Sequence, residues 1–153
     1  SMENDPHLWD VTNFTVPYSR FALKQYLENS QSDMFADRQL RLMIVRREDE
    51  IVLGTIDITD FVPLHSHGEV GIMIRKKYQG NGYAKEALNL LCNYAFGFLY
   101  LKQLTVHIAI DNEASIQLFK SCGFVECGLL KEWWCVEGRF KDVLLMQCLR
   151  KTN

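Results

Sequence analysis

KKYQGNGYAKEAL, residues 76–88, is the stretch on which the reading of this chain turns. A glycine-rich loop runs directly into a helical pattern, and a helix N-terminus with its unpaired amides is a ready site for phosphate. Two phosphate ligands fall away on the residues themselves. A nucleoside-triphosphate loop needs G-x-x-x-x-G-K-[ST], whereas Gly82 is followed here by Tyr83 and Ala84. A dinucleotide fingerprint needs G-x-G-x-x-G. GNGYAK supplies Gly80 and Gly82 but puts Lys85 where close helix–strand packing wants a tiny residue, and the next strand ends without a convincing acidic partner.

Working outward, EVGIMIR (69–75) reads as a strand entering the loop, and a long helix leaves it. Ala84, Ala87, Leu88, Leu91, Ala95, Phe98 and Leu99 recur at three- and four-residue spacing, one face of that helix. QLTVHIAI (103–110) alternates as a strand, so the centre of the chain is a βαβ unit. DNEASIQLFKSCGF (111–124) follows as a short helix, capped by Asp111 or Asn112 and stopped by Gly123. VECGLLKEWWCV and RFKDVLLMQCL flank Glu137-Gly138, a two-residue hairpin signal. Upstream, QLRLMIVRR (39–47) and IVLGTIDITDF (51–61) form a second predicted hairpin around 48–50, with 62–68 a loop. TVPYSRFALKQYLENS (15–30) reads as a helix, Pro17 in its first turn and Phe21, Leu23, Tyr26 and Leu27 on its apolar side.

Residues 1–153 carry no linker, repeat or low-complexity segment, and the length suits one domain. With 48% hydrophobic residues the chain can build a core, and a formal charge of −2 gives no electrostatic reason to expect nucleic acid. No apolar run approaches the ~18 residues of a membrane span, and no secretory leader opens the sequence. The five cysteines are odd in number and form no C-x-x-C pair. They read as reduced residues in or near the core of a cytoplasmic protein. His65 and His67 lack further ligands nearby, so no metal is expected.

Q-x-x-G-x-A, from Gln79 through Gly82 to Ala84, at a strand–loop–helix junction resembles the acetyl-CoA signature of the GCN5-related N-acetyltransferase (GNAT) superfamily. One helix and one strand later, Asn112, Ser115, Leu118, Phe119, Gly123 and Phe124 fit the family's Asn-x-x-(Ser/Ala)-x-x-Leu-aromatic-x-x-x-Gly-Phe pattern. The terminal hairpin looks like that of the RimJ/RimL and spermidine acetyltransferase branch, and the likeness is good from about residue 69 to 149. The resemblance implies an α/β (α+β) GNAT fold. Its central sheet is mixed, mostly antiparallel, splayed into a V-shaped gap and flanked by helices. Residues 3–9 look like the end of a first helix, so the strand that usually precedes it is expected to be missing.

The same resemblance implies acetyl-CoA as co-substrate, a primary amine as acceptor (a polyamine, a protein N-terminal amine or a small amine), and direct attack in a ternary complex. Its pyrophosphate would meet the backbone of Gln79, Gly80, Asn81, Gly82, Tyr83, Ala84 and Lys85. The pantetheine arm would lie against main-chain groups of Ile72, Met73 and Ile74, and a free amide there would hold the oxyanion. Asn112 either contacts the arm or only caps its helix, and Lys85 and Lys120 are candidate phosphate partners. Glu69 is the candidate catalytic base. The family commonly meets the leaving thiolate with a tyrosine, where this chain has Phe119, placed by expectation at the cofactor's sulfur end. The sulfur would leave as thiolate or take a proton from water; otherwise a group such as Tyr83 or Cys122 would have to substitute as donor. That departure keeps a second reading open, a non-catalytic acyl-CoA-binding module. Acceptor selectivity falls to the helix 17–30, the loop 62–68 and the hairpin with Trp133 and Trp134, with Glu28, Asp33, Asp57, Asp60 and Glu132 suited to a cation. A homo-oligomer is a possible assembly.

Overall fold

The computed structural model describes residues 8–26 and 37–152. Eight strands make one sheet in the order β1-β2-β3-β4-β5-β6-β8-β7. They are β1 (Leu8–Asp10), β2 (Phe21–Tyr26), β3 (Leu40–Arg46), β4 (Ile51–Val62), β5 (His67–Ile74), β6 (Gln103–Ala109), β7 (Val125–Val136) and β8 (Arg139–Leu149). Helix α1 (Tyr83–Gly97) joins β5 to β6, and α2 (Glu113–Ser121) joins β6 to β7. Every neighbouring pair is antiparallel except β5–β6, the product of the crossover through α1.

The alternating runs form the strands they predict, because one face of each is covered. In β4, Ile56 and Ile58 are fully buried while Thr55, Asp57 and Thr59, which alternate with them, are not. In β6, Leu104, Val106 and Ile108 are buried and the residues between them only partly so. Helix α1 buries Ala87, Leu88, Leu90, Leu91 and Ala95 in the same cluster as Ile56, Ile58 and Val70. Phe98, expected on its apolar face, is half-exposed and stacks on Tyr94 at 5.3 Å. At the terminal hairpin Glu137 and Gly138 both have positive φ, 51° and 78°, the backbone of a tight primed turn.

Among the described residues the expected first helix is a strand. Within 15–30, residues 21–26 form β2, and 27–30 lie outside the described residues. Phe21, Ala22 and Leu23 are buried in succession, which a strand covered on both faces permits and a surface helix does not. Leu23 pairs with Ile44 and Phe21 with Arg46. Leu8 and Trp9, read as the end of a helix, belong to β1, which runs antiparallel to β2. Two strands, β1 and β2, thus stand at this edge of the sheet. Buried Thr12 ties them, its hydroxyl accepting from the Leu23 amide (3.1 Å) and donating to Asp10 Oδ1 (2.9 Å). Arg47 then bridges to Asp10 at 2.8 Å.

The sheet's centre opens where it must for the expected gap. Strands β5 and β6 pair only at His67–Gln103, Gly68–Leu104 and Glu69–Thr105. Beyond Glu69, β5 follows β4 up to Ile74–Gly54, while β6 follows β8. Gly54 makes the first of these possible: a Cβ there would stand 2.0 Å from the Met73 carbonyl. Two strand edges therefore diverge from a shared base, each with its outer partner intact and its inner side unpaired.

Candidate active site

The loop after β5 is braced by its own side chains. A 3-10 turn spans Lys76–Tyr78, and Gln79 Nε2 donates to the Ile74 carbonyl at 2.9 Å. Asn81 Nδ2 donates to the carbonyls of Tyr78 and Gln79. Gly80 and Gly82 then take φ of 81° and 76°, left-handed values that favour glycine. Gly82 is the N-cap of α1 and no side chain caps the helix, so its opening amides are left without a protein acceptor of that kind. They carry the positive end of the helix dipole.

A cleft of about 460 Å³ lies between this loop, the end of β5 and the facing side of α2. It brings together Ile72, Met73, Ile74, Gln79 and Gly80 from the strand and loop. Gly82, Tyr83, Ala84 and Lys85 join them from the start of α1, and Asn112 from the cap of α2. Asn112 also does the capping job: its Oδ1 accepts from the Ser115 amide at 3.2 Å. Sequence reasoning missed Tyr78, Ala114, Ser115 and Leu118, which complete the lining. The three on α2 sit at 114, 115 and 118, a spacing that puts them on one helical face.

Two expected side-chain contacts do not reach the cleft. Phe119 is 2% exposed and turned into the core, its ring edge-on to Phe124 at 5.0 Å. One residue of helix rotates the side chain by about 100°, so Leu118 takes the cleft face and Phe119 the core face. Lys120 pairs with Glu126 at 3.1 Å. The Asn81 side chain is spent on the loop itself, which leaves its backbone as the part available to a ligand.

Tyr83 is held from the sheet's outer strands. Its hydroxyl accepts from Arg46 Nη1 at 3.2 Å, and its ring meets Phe21 edge-on at 5.2 Å. Arg46 in turn grips Asp49 through two hydrogen bonds of 3.0 and 2.7 Å. Asp49 first, then Tyr83, holds that guanidinium above its ordinary range, and Arg46 holds the Asp49 carboxyl below its own. Strand β2, read as a helix from sequence, is thus part of what positions a cleft residue.

At the base of the gap Glu69 contacts His107 through its Oε1 and the ring Nδ1. Glu69 is the last residue of β5 paired to β6, and His107 lies two residues past its partner Thr105. The contact therefore crosses the V where it starts to open. Both side chains are about a quarter exposed, at 28% and 27%. The His107 ring is 6.5 Å from that of Trp134, which links the dyad to the terminal hairpin. His107 carried a sequence signal that was passed over. With Leu104, Val106 and Ile108 facing the core, alternation sends Thr105 and His107 to the other side, with Glu69.

On that same face Asp57 stands opposite Gly71, and Thr59 opposite Glu69. Burial pushes the Asp57 carboxyl above the usual range, against the pull of Arg41 and the Leu42 backbone. Of the other acids suited to a cation, Glu28 and Asp33 lie outside the described residues. Asp60 and Glu132 are exposed, with positive φ. His65 and His67 stack at 6.0 Å, and among the described residues no group of three or more His, Cys, Asp and Glu could hold a metal ion. Cys122 opens onto a different cleft, of about 1010 Å³, beside the C-terminal half of α1. Burial raises its thiol, and it is not positioned as a donor in the smaller cleft.

With this geometry in hand, the comparisons agree with one another. The profile of the Acetyltransferase (GNAT) domain family matches residues 1–125, and so reaches into the N-terminal strands. Spermidine N(1)-acetyltransferase of Vibrio cholerae is 30% identical over 137 residues, 90% of this chain and 78% of that protein. The ribosomal-protein-serine acetyltransferase of Escherichia coli is 27% identical over 105 residues, 69% of this chain and 58% of the other. Among solved structures, spermidine N-acetyltransferase from Vibrio cholerae in complex with CoA and spermine superposes with a TM-score of 0.72 at 29% identity. That match covers 81% of this chain and 73% of the other. Fold, loop and relatives converge: this chain belongs to the GNAT family of acetyltransferase domains.

Proposed function

We propose that the protein moves the acetyl group of acetyl-CoA to a primary amine by direct attack within a ternary complex. The observation that carries this reading is the join of two unfilled features: the uncapped start of α1 and the unpaired inner edges of β5 and β6. The first suits a pyrophosphate, with Lys85 beside it. The second suits the amide-bearing pantetheine arm, which would add to the backbone of Ile72, Met73 and Ile74 as a narrow strand.

Such an arm would point its thioester toward the Glu69–His107 pair. An alkyl ammonium has a pKa near ~10 and must lose a proton before it can attack. Glu69 accepts that proton, and His107 fixes the carboxylate. The amine nitrogen bonds to the thioester carbon, a main-chain amide on β5 meets the oxyanion, and the carbon–sulfur bond then breaks as the nitrogen gives up its remaining extra proton to water. With a thiol pKa of about 8.5, the leaving sulfur departs as thiolate or takes a proton from water. Phe119, in the core, has no part in this.

The acceptor is a polyamine, a protein N-terminal amine or a small amine, a range that the named relatives' substrates support. A reducing, cytoplasmic setting fits the five unpaired cysteines. Release of free thiol from acetyl-CoA across a panel of such amines tests the reaction. Steady release with at least one amine is expected. Tight acetyl-CoA binding without turnover on any of them would leave a binding module instead.

A further inference from the structure

We propose that Asp142 is a positioning residue for the reaction: it pins a bulge in β7 that brings Trp134 against His107, the partner of the proposed base. The inference rests on the acetyltransferase reading above and adds to it two residues of the terminal hairpin.

Strand register shows what the bulge does. Leu130 is opposite Val143, and Trp134 is opposite Lys141. Four steps along β7 therefore match two along β8, so β7 carries two extra residues here. In an unbroken ladder Glu132 would face Lys141, and Trp134 would fall opposite Arg139. The insertion draws Trp134 back by two positions of β8, about 7 Å at the rise of a strand. An even insertion also leaves it on the same side of the sheet. His107 pairs with Leu145, and Leu145, Val143 and Lys141 alternate onto one side of β8. Trp134 therefore shares the side of His107 and Glu69. Its indole ends 6.5 Å from the imidazole, within the range of an aromatic pair.

Asp142 holds the bulge in place. Its Oδ1 accepts from the Glu132 amide at 2.8 Å, and Glu132 is the bulge residue in the left-handed region, with φ of 49°. The Asp142 carbonyl accepts from the Ile110 amide at 3.0 Å, just past the end of β6. One residue thus ties the bulge to the strand that carries His107. His107 meets Glu69 through Nδ1, so any freedom of the imidazole is passed on to the base. A ring packed on Trp134 has fewer orientations in which to lose that contact.

The test compares Trp134→Ala, Asp142→Ala, Asp142→Asn and the double alanine variant in thiol-release assays with spermidine, butylamine and glycinamide. Trp134→Ala and Asp142→Ala are each expected to lower kcat by roughly threefold to tenfold, the worth of an aromatic pair, with acetyl-CoA affinity unchanged. Asp142→Asn keeps an acceptor oxygen and retains most of the rate. In the Trp134→Ala background, Asp142→Ala adds no further loss, because it acts through the indole. Additive losses, or an Asp142→Asn variant as slow as Asp142→Ala, overturn the inference. Should the wild type acetylate none of these amines, the proposed function is what fails. NMR of the His107 ring protons then decides the inference alone. Their ring-current displacement by the indole should vanish in Trp134→Ala and Asp142→Ala and persist in Asp142→Asn. Resonances that stay in place in Asp142→Ala refute it.

Discussion

The protein has two clefts along α1, and the smaller is the one equipped for chemistry. The larger, about 1010 Å³, lies at the C-terminal half of the helix against Cys92, Cys122 and Cys148. There the helix dipole is negative, and burial raises all three thiols, that of Cys92 to about 12. The smaller, about 460 Å³, lies at the N-terminal half, where uncapped amides and two open strand edges await a partner. Volume therefore says little about function here. What distinguishes the two is which one has hydrogen-bonding capacity left over.

That contrast can be broken by experiment. The largest effect should come from Glu69→Gln, which removes the proposed base and is expected to lower kcat/KM by about a hundredfold or more. The loss should be greatest near neutral pH, so a pH profile that overlays the wild type makes Glu69 a structural residue. Gly82→Val comes next. A Cβ there meets no protein atom within 4 Å, so the penalty arises from its left-handed backbone and from intrusion on the space proposed for the pyrophosphate. The strain costs about 1–3 kcal/mol of stability, and the crowding is expected to weaken acetyl-CoA binding by roughly tenfold to a hundredfold by calorimetry. Unchanged affinity would count against the loop as the phosphate site.

Asn112→Ala should remove about 1 kcal/mol of stability with its cap. If KM for acetyl-CoA rises as well, Asn112 touches the arm; if only Tm falls, it is a cap and nothing more. The smallest effect belongs to the large cleft. Cys148→Ser is expected to leave acetyl-CoA affinity unchanged, and a clear loss would mean that the two clefts are coupled. Raised pKa values keep Cys122 and Cys148 protonated to higher pH than an ordinary thiol. Iodoacetamide at neutral pH should accordingly label exposed Cys127 and Cys135 first, with peptide mapping as the readout.

What could be read from sequence was what depends on neighbours along the chain. The loop from Gln79 to Lys85, the alternation of β4 and β6 and the cap at Asn112 are local patterns, and the structure has each of them. Misreadings came where distant contacts decide. Phe21, Leu23 and Tyr26 fit a helix as well as a strand, and only pairing with β3 settles the matter. Phe119 aligned with a family position by count, yet the rotation of α2 relative to the sheet turns it to the core. His107 and Asp57 gain meaning from strand register, which places them beside Glu69 and Gly71. No single stretch of chain holds that information.

The brief parallel pairing of β5 and β6 has one more consequence. Unpaired strand edges usually invite other polypeptides, and sheets defend their borders against them. Here the unpaired edges lie inside the sheet, walled by β4 on one flank and β8 on the other. A neighbouring protein cannot readily lay a strand into a wedge that is closed from Glu69–Thr105 downward. A thin, flexible thread with amides of its own can. The shape of the opening thus lets the protein keep a sticky interior without becoming a seed for aggregation.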